Sequence, residues 1–439
     1  MKNNLFPSLL LLMGFLTLCT SNAQDLKSSS STHTRQIIDA TAYQGKAFKL
    51  SAAIRKVPTN GNEKAGIFIG AWKADNSLAF FSRDIGDRPV DTQWHVYAIE
   101  GTMDKETKRL FFGASSEYNG TFYFDDFKLQ VETKKGHWET IPIKNPDFEE
   151  TPKSKDIWDS KNTNRVKQFT NAITDQNPFS GNHCLVVEGK GVYGQQDEYG
   201  GFVEANGLEF YYETHGEGEP LLLLHGAGQS ISAFMEQIDF FSQHYKVIAV
   251  DSRGRGRSQD KKEEDFTYVE QAKDMKLFLE ALKIEKVDIV GWSDGGIIGL
   301  IMAMYHPEKV NKLVAMGANI NPDGLFPDRI AQHKEYLKEL EAENDEKNAI
   351  TIKIYEALVN RPNLTFEELK VIAAPTLIMA GDHDLIQDMH TVKMYQAIPN
   401  ANLAILPGET HWLPSANPKL FNDTVWRFLS KEFKEPRRF

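Results

Sequence analysis

The stretch Gly291-Trp292-Ser293-Asp294-Gly295-Gly296 decides the reading of this chain, together with Val287-Asp288-Ile289-Val290 before it and the apolar run 297–305 after it. The first flank reads as a short buried strand and the second as a helix packed on a sheet. A serine between glycines at a strand-to-helix turn fits a strained bend, which needs small neighbours on both sides. The hydroxyl is lifted clear of the backbone, and the helix N-terminus behind it favours negative charge developing there. At average glycine and serine usage a chain of this length holds roughly 0.15 chance matches to G-x-S-x-G, so the strand and helix carry more weight than the motif.

Other motifs follow in order on both sides. Leu221-Leu222-Leu223-Leu224 runs into His225-Gly226-Ala227-Gly228, a buried strand opening into a glycine-rich loop. Lys246-Val247-Ile248-Ala249-Val250 leads to the turn Asp251-Ser252-Arg253-Gly254-Arg255-Gly256-Arg257-Ser258. Downstream, Pro375-Thr376-Leu377-Ile378-Met379-Ala380 ends in Gly381-Asp382-His383-Asp384, and residues 401–406 lead to Gly408-Glu409-Thr410-His411-Trp412. A serine hydroxyl is too weak a nucleophile at neutral pH without an adjacent base, and a carboxylate behind that base stabilises the imidazolium.

In this register, residues from about 200 to 439 resemble the α/β-hydrolase superfamily, whose nucleophile, acid and histidine follow one another in that order. The resemblance implies a parallel α/β sheet with Ser293 as nucleophile, His411 as base and Asp384 as acid. The family pattern puts the acid three residues after a glycine, which favours Asp384 over the neighbouring Asp382. Oxyanion donors would be the backbone N–H groups of Asp294 and Ala227, with Gly228 the next candidate. The GWSDGG elbow and Gly317-Ala318-Asn319 also look similar to valacyclovir hydrolase and biphenyl hydrolase-like enzymes, in which the acid after the nucleophile recognises a substrate amino group. Asp294 is then a substrate contact, with Gly228 and Trp292; the plainer reading is a side chain that holds the elbow. Haloalkane dehalogenases and epoxide hydrolases carry aspartate where this chain has Ser293. His225 is expected to shape its loop, and His306, His383 and His390 read as ordinary surface or loop histidines. With no H-E-x-x-H, no G-x-G-x-x-G after a strand and no P-loop, no metal and no cofactor are expected.

The 439 residues suit two domains, and 41% hydrophobic with 25% charged residues describes a folded globular protein. A formal net charge of −11 argues against a general nucleic-acid partner. Arg253, Arg255 and Arg257 form only a short basic patch within their turn. Met1-Lys2-Asn3-Asn4 precedes an apolar run over 5–18, the size of a signal-peptide core and too short to span a bilayer. Ser21-Asn22-Ala23 places cleavage after Ala23, giving a signal peptide over 1–23; Cys19 offers a lipoprotein alternative that the large Leu18 weakens. Either way the protein is expected to be exported, periplasmic or extracellular, without a transmembrane segment. The two cysteines, Cys19 and Cys184, leave the mature chain no intramolecular disulfide. Cys184 reads as a buried small hydrophobe.

Residues 24–36, with a serine run at 28–31, read as a linker. Short alternating runs over 37–131, such as Gly66-Ile67-Phe68-Ile69-Gly70-Ala71-Trp72, point to an antiparallel sandwich. The run Gly120-Thr121-Phe122-Tyr123-Phe124-Asp125-Asp126-Phe127-Lys128-Leu129 resembles the closing strand of galactose-binding-like jelly rolls, and residues 145–185 resemble opening strands of the same family. Residues 37–195 are assigned to one such domain, because the second stretch is too short for a sandwich of its own. The resemblance makes carbohydrate a candidate partner, through Trp72, Trp94, Tyr118 and Trp138, against the simpler reading of these rings as core. Asp125 and Asp126 alone do not make a Ca²⁺ site. Residues 196–439 form the hydrolase-like domain, opened by a hairpin around Asn206-Gly207 and carrying a short helical lid over about 320–370. The reading as a whole is an exported serine hydrolase acting on small or medium carboxylic esters through an acyl-enzyme. The alternatives are a surface glycan-binding protein with a vestigial hydrolase domain, or an aminopeptidase-like amide hydrolase.

Overall fold

The computed structural model describes residues 31–57, 64–85, 90–117, 119–150, 158, 168–261, 266–343 and 345–432. The expected signal peptide with Cys19 and Ala23, the linker residues 24–30 and Tyr118 lie outside the described residues. The chain divides into two units, one ending at Gln195 and the other beginning at Gln196.

Among its described residues the first unit is built from strands: β1 (Ser31–Asp39), β2 (Ala47–Val57), β3 (Lys64–Trp72), β4 (Leu78–Ile85), β5 (His95–Thr102), β6 (Arg109–Glu117), β7 (Gly120–Lys134), β8 (His137–Ile141), β9 (Phe169–Thr174) and β10 (Cys184–Gly189). One sheet has the order β1-β6-β3-β4 and the other β5-β2-β7-β10-β9, with β8 paired to β7. Period-two alternation sends Phe48, Leu50, Ala52 and Ile54 of β2 and Ala65, Ile67, Ile69 and Ala71 of β3 into one shared core. On β7 the inward set changes from Phe122 and Phe124 to Phe127, Leu129 and Val131. A bulge explains the change of phase: the register against β2 shifts between Ser51 and Ala53, and Asp126 takes a φ of 48°.

The later segment joins the same sandwich, since β9 and β10 extend the sheet of β7. Residues 31–36, read above as linker, are instead strand, paired residue by residue with β6. Their alternation of His33, Arg35 and Ile37 with Thr32, Thr34 and Gln36 is a strand pattern that the serine run before it obscured. Trp72 is buried and stacks on Phe111 with ring centroids 4.1 Å apart. Trp94 is half-buried and donates its indole N–H to the Asn177 carbonyl, while Trp138 on β8 is exposed. Asp125 is buried, pushed up to about 6 by desolvation, and accepts the Phe179 and Ser180 N–H groups. Cys184 is a free, buried thiol.

The second unit contains β11 (Gly200–Ala205), β12 (Leu208–His215), β13 (Pro220–Leu224), β14 (Lys246–Val250), β15 (Val287–Trp292), β16 (Val310–Met316), β17 (Thr376–His383) and β18 (Ala401–Thr410). Its helices are α1 (Met235–Phe241), α2 (Tyr268–Ala281), α3 (Asp294–Tyr305), α4 (Pro327–Glu343), α5 (Ala349–Asn360), α6 (Asp388–Ala397), α7 (Leu413–Ala416) and α8 (Pro418–Leu429). The sheet order is β11-β12-β14-β13-β15-β16-β17-β18, antiparallel at β11, β12 and β14 and parallel from β14 onward. Asn206 and Gly207, with φ of 52° and 71°, make the turn of the β11–β12 hairpin. Parallel strands covered on both faces need continuous apolar runs, and Leu221 to Leu224 of β13 are all buried. Each such leucine contributes about 1.5–3 kcal/mol by leaving water. Helix α2 starts at Thr267, whose hydroxyl caps the Glu270 N–H at 3.1 Å. The helical insert, α4 and α5, falls between β16 and β17. No helix among the described residues is long and apolar enough to cross a membrane.

Candidate active site

The loops following β13 to β18 all leave the sheet at the C-terminal ends of its parallel strands, where open α/β sheets place their ligands. Ser293 follows β15 with φ 55° and ψ −117°, a conformation that strains any residue with a Cβ. It is fixed by its N–H donating to Met316 O at 2.8 Å and its carbonyl accepting from Ile297 at 3.0 Å. Glycine is required on both sides of the bend. A Cβ on Gly291 would stand 2.2 Å from Gly295 O, and one on Gly295 would stand 1.8 Å from Leu224 O. From Gly291 to Leu300 every residue is buried except Ser293, which keeps partial exposure.

His411 follows β18, and its Nδ1–H donates to Asp384 Oδ1 at 2.6 Å. Asp384, fully buried at its side chain, also accepts the Ile386 N–H. The rival Asp382 instead accepts from Gly408 N on an exposed turn. Gly317, at φ 59°, lets the backbone pass the imidazole; a Cβ there would stand 2.8 Å from His411 Nδ1. Trp292, expected as a substrate contact, is buried, and its indole N–H donates to His411 O at 2.9 Å. Its task is therefore to seat the histidine loop beside the elbow.

The loop after β13 is held from two directions. His225 is buried, donates from Nδ1 to Gly226 O and accepts the Ser252 N–H at Nε2, 3.0 Å away. Burial and the Arg255 charge hold it down to about 3, so it stays neutral. Gln229 adds a bond from the Gly226 N–H to its Oε1 at 2.8 Å. Ala227 is partly exposed and Gly228 exposed, so both remain accessible to a ligand. Asp294 opens α3, where the first N–H groups have no partner within the helix. The turn after β14 is tied by Asp251, which accepts from Ile231 N and Arg257 N; desolvation pushes it up to about 7.

The Asp294 side chain is 1% exposed and accepts from Tyr268 Oη at 2.8 Å. The buried Arg255 acts on the same carboxylate and opposes the upward pull of desolvation. A carboxylate already buried and bonded to Tyr268 supports the elbow-holding reading over the amino-group one. His390, read as an ordinary loop histidine, is buried and accepts the Ile320 N–H at 3.1 Å. It braces the start of the insert, and Gln387 Nε2 donates to Asp323 O and Leu325 O on the same segment.

Tyr268, Gln229 and His333 were not read from the sequence. His333 sits on the face of α4 that also carries the buried Leu337 and Leu340, so a histidine at apolar helical spacing was the available signal. Among the described residues no group of three His, Cys, Asp or Glu side chains is placed to hold a metal ion.

Residues 219–344 match the family model described as alpha/beta hydrolase fold. The human serine hydrolase BPHL is 30% identical over 249 residues, covering 52% of this chain and 85% of that protein. A putative carbamate hydrolase, RutD, from Azorhizobium caulinodans is 28% identical over 266 residues, 52% of this chain and 98% of that one. Among solved structures, the enol-lactonase from Burkholderia xenovorans LB400 is 21% identical, covers 53% of this chain and all of that one, and gives a TM-score of 0.45.

Proposed function

We propose, because this chain belongs to the α/β-hydrolase family, that it is an exported serine hydrolase that cleaves carboxylic esters through Ser293, His411 and Asp384. The observation that supports the reading is a buried His411–Asp384 pair of 2.6 Å on loops at the same end of the sheet as the positive-φ Ser293 of the elbow. Ser293 Oγ attacks the acyl carbon while His411 Nε2 takes its proton; Asp384 keeps Nδ1 protonated and stabilises the imidazolium. The N–H groups of Asp294 and Ala227 receive the oxyanion. Collapse of the tetrahedral intermediate expels the alcohol, which leaves with the proton from His411. Water, deprotonated by the same histidine, then hydrolyses the acyl-enzyme.

The name of the carbamate hydrolase relative favours one second reading, cleavage of an N-acyl or carbamate bond by the same route. The test is hydrolysis of p-nitrophenyl esters from acetate to octanoate, with matched anilides and carbamates, beside Ser293→Ala. Ester turnover that falls about 10⁵-fold or more in the variant supports the proposal. Full activity in Ser293→Ala sinks it, and turnover confined to anilides or carbamates moves the reading to amide chemistry. The first unit is proposed to hold carbohydrate near Trp94 or Trp138, which glycan-array binding by the full chain checks.

A further inference from the structure

Few bonds hold the Asp384 carboxylate. Its Oδ1 accepts both the His411 Nδ1–H at 2.6 Å and the Ile386 N–H at 3.1 Å. Its Oδ2 is buried and has no hydrogen-bond partner among the described residues. Where the carboxylate sits therefore follows the backbone two residues further along. That backbone is itself paired, because Ile386 forms an isolated antiparallel bridge with Leu325 in the run that leads into α4. The Phe326 N–H donates to Leu385 O at 3.2 Å, and the Gln387 N–H donates to Gly324 O at 2.8 Å. The Gln387 side chain closes this short ladder, its Nε2 donating to Asp323 O at 2.7 Å and to Leu325 O at 2.6 Å.

The primary amide of Gln387 carries two N–H donors, and both go to backbone carbonyls of a segment 62 and 64 residues away in sequence. Leu325 and Ile386 are both buried, so loss of the amide leaves a carbonyl short of a donor where water enters poorly. The ladder then loosens at the end nearest the acid. We propose that Gln387 is a positioning residue: by clamping the Asp384 turn to residues 323–325 it keeps the carboxylate in register with His411, and so ties the acid to the start of the helical insert. The proposal rests on the serine-hydrolase reading above. Gln387 takes no part in the chemistry itself; it acts through the Ile386 N–H. A displacement of about 1 Å in a reacting constellation can cost about 100-fold in rate, so a clamp of this kind has a large effect at a distance.

Gln387→Met keeps the length of the side chain and removes both donated bonds. On p-nitrophenyl butyrate its kcat should fall by about tenfold to 100-fold, with KM held within about twofold. An adjacent carboxylate favours the imidazolium, so loosening it should also move the acidic limb of the kcat/KM profile to lower pH, by about half a unit or more. Asp294 of α3 and His333 of α4 also interact electrostatically with His411, and both are unaltered in these variants. Gln387→Asn, which keeps the amide on a shorter stem, should fall between the wild type and the methionine variant. Lys353→Met loosens the insert from the β14 turn instead and should leave both kcat and the limb in place. Unchanged kinetics in Gln387→Met overturn the proposal, as does an equal shift of the limb in Lys353→Met. A loss of thermal stability with the limb at its wild-type pH also overturns it, since that marks a merely structural role. If the methionine variant does not fold, the limb of the asparagine variant decides. Failure of the hydrolase reading looks different: wild-type turnover does not depend on Ser293. The downfield proton NMR signal of the His411 Nδ1–H needs no substrate and then decides, since it should move in Gln387→Met and an unmoved signal overturns the clamp.

Discussion

The loops around Ser293 and the helical insert between β16 and β17 are held by different means. In the loops, side chains pin backbone: His225 to Ser252, Gln229 to Gly226, Asp251 to Ile231 and Arg257, Trp292 to His411, Asp384 to Ile386. In the insert, α4 and α5 meet through rings, the tie to the β14 turn is a Lys353–Asp260 ion pair of 2.7 Å, and side-chain-to-backbone bonds gather at its start, from His390 and Gln387. The difference teaches that backbone position is fixed mainly by polar ties around Ser293 and mainly by ring packing between α4 and α5.

The sharpest way to break this contrast is on the pinned side. Asp384→Asn preserves the shape of the loop but removes the charge behind His411 and favours the wrong tautomer. Ester turnover should fall about 10⁴-fold with thermal unfolding nearly unchanged. A fall of less than tenfold would return Asp382 to consideration.

Next is the buried charge beneath the elbow. Arg255→Met removes the buried guanidinium that opposes the desolvation of Asp294 and donates to Gln271, and should destabilise the unit, measured by urea unfolding. Adding Asp294→Asn should recover part of that loss, since the uncompensated charge is then gone. No recovery would mean that Arg255 serves another partner.

A smaller effect tests the loop after β13. Folded His225 stays neutral down to about 3, while in the unfolded chain it takes up a proton near its ordinary value of 6.5. The stability it contributes is therefore complete above about pH 6.5 and is lost as pH falls toward 3. His225→Leu strands the Ser252 N–H and should cost about 1–3 kcal/mol at pH 8. The gap from the wild type should narrow at pH 5, and a gap independent of pH would refute the assignment.

The smallest effect is expected in the insert. Lys353 and Asp260 are partly exposed, so Lys353→Met should shift stability by about 1 kcal/mol or less. Amide exchange should quicken in α5 and not in β15 or β16, which sharpens the contrast between the two regions. Equal quickening in both would erase it.

Much of this site was legible because its signals are local. The elbow needs Gly291 and Gly295 within two residues of Ser293, and the buried parallel strands read as unbroken apolar runs. The strand at residues 31–36 was obscured by the serine run before it. Trp292 adjoins the nucleophile and so read as a substrate contact, whereas its indole goes to the His411 carbonyl; Asp294 kept two readings in the sequence, and its burial against Tyr268 supports the one that holds the elbow.

The sequence by itself determined the order of Ser293, Asp384 and His411, the strands that carry them and the glycines that permit the bends, because these depend on residue type and short spacing. Only the tertiary structure decided the partners. Trp292 reaches the carbonyl of His411, 119 residues away, and Asp294 takes the hydroxyl of Tyr268, 26 residues before it. His333 meets Tyr355 only when α4 packs against α5. The physical reason is that a polar group's role follows from which other groups share its burial, and burial is a property of the folded chain rather than of any stretch of it.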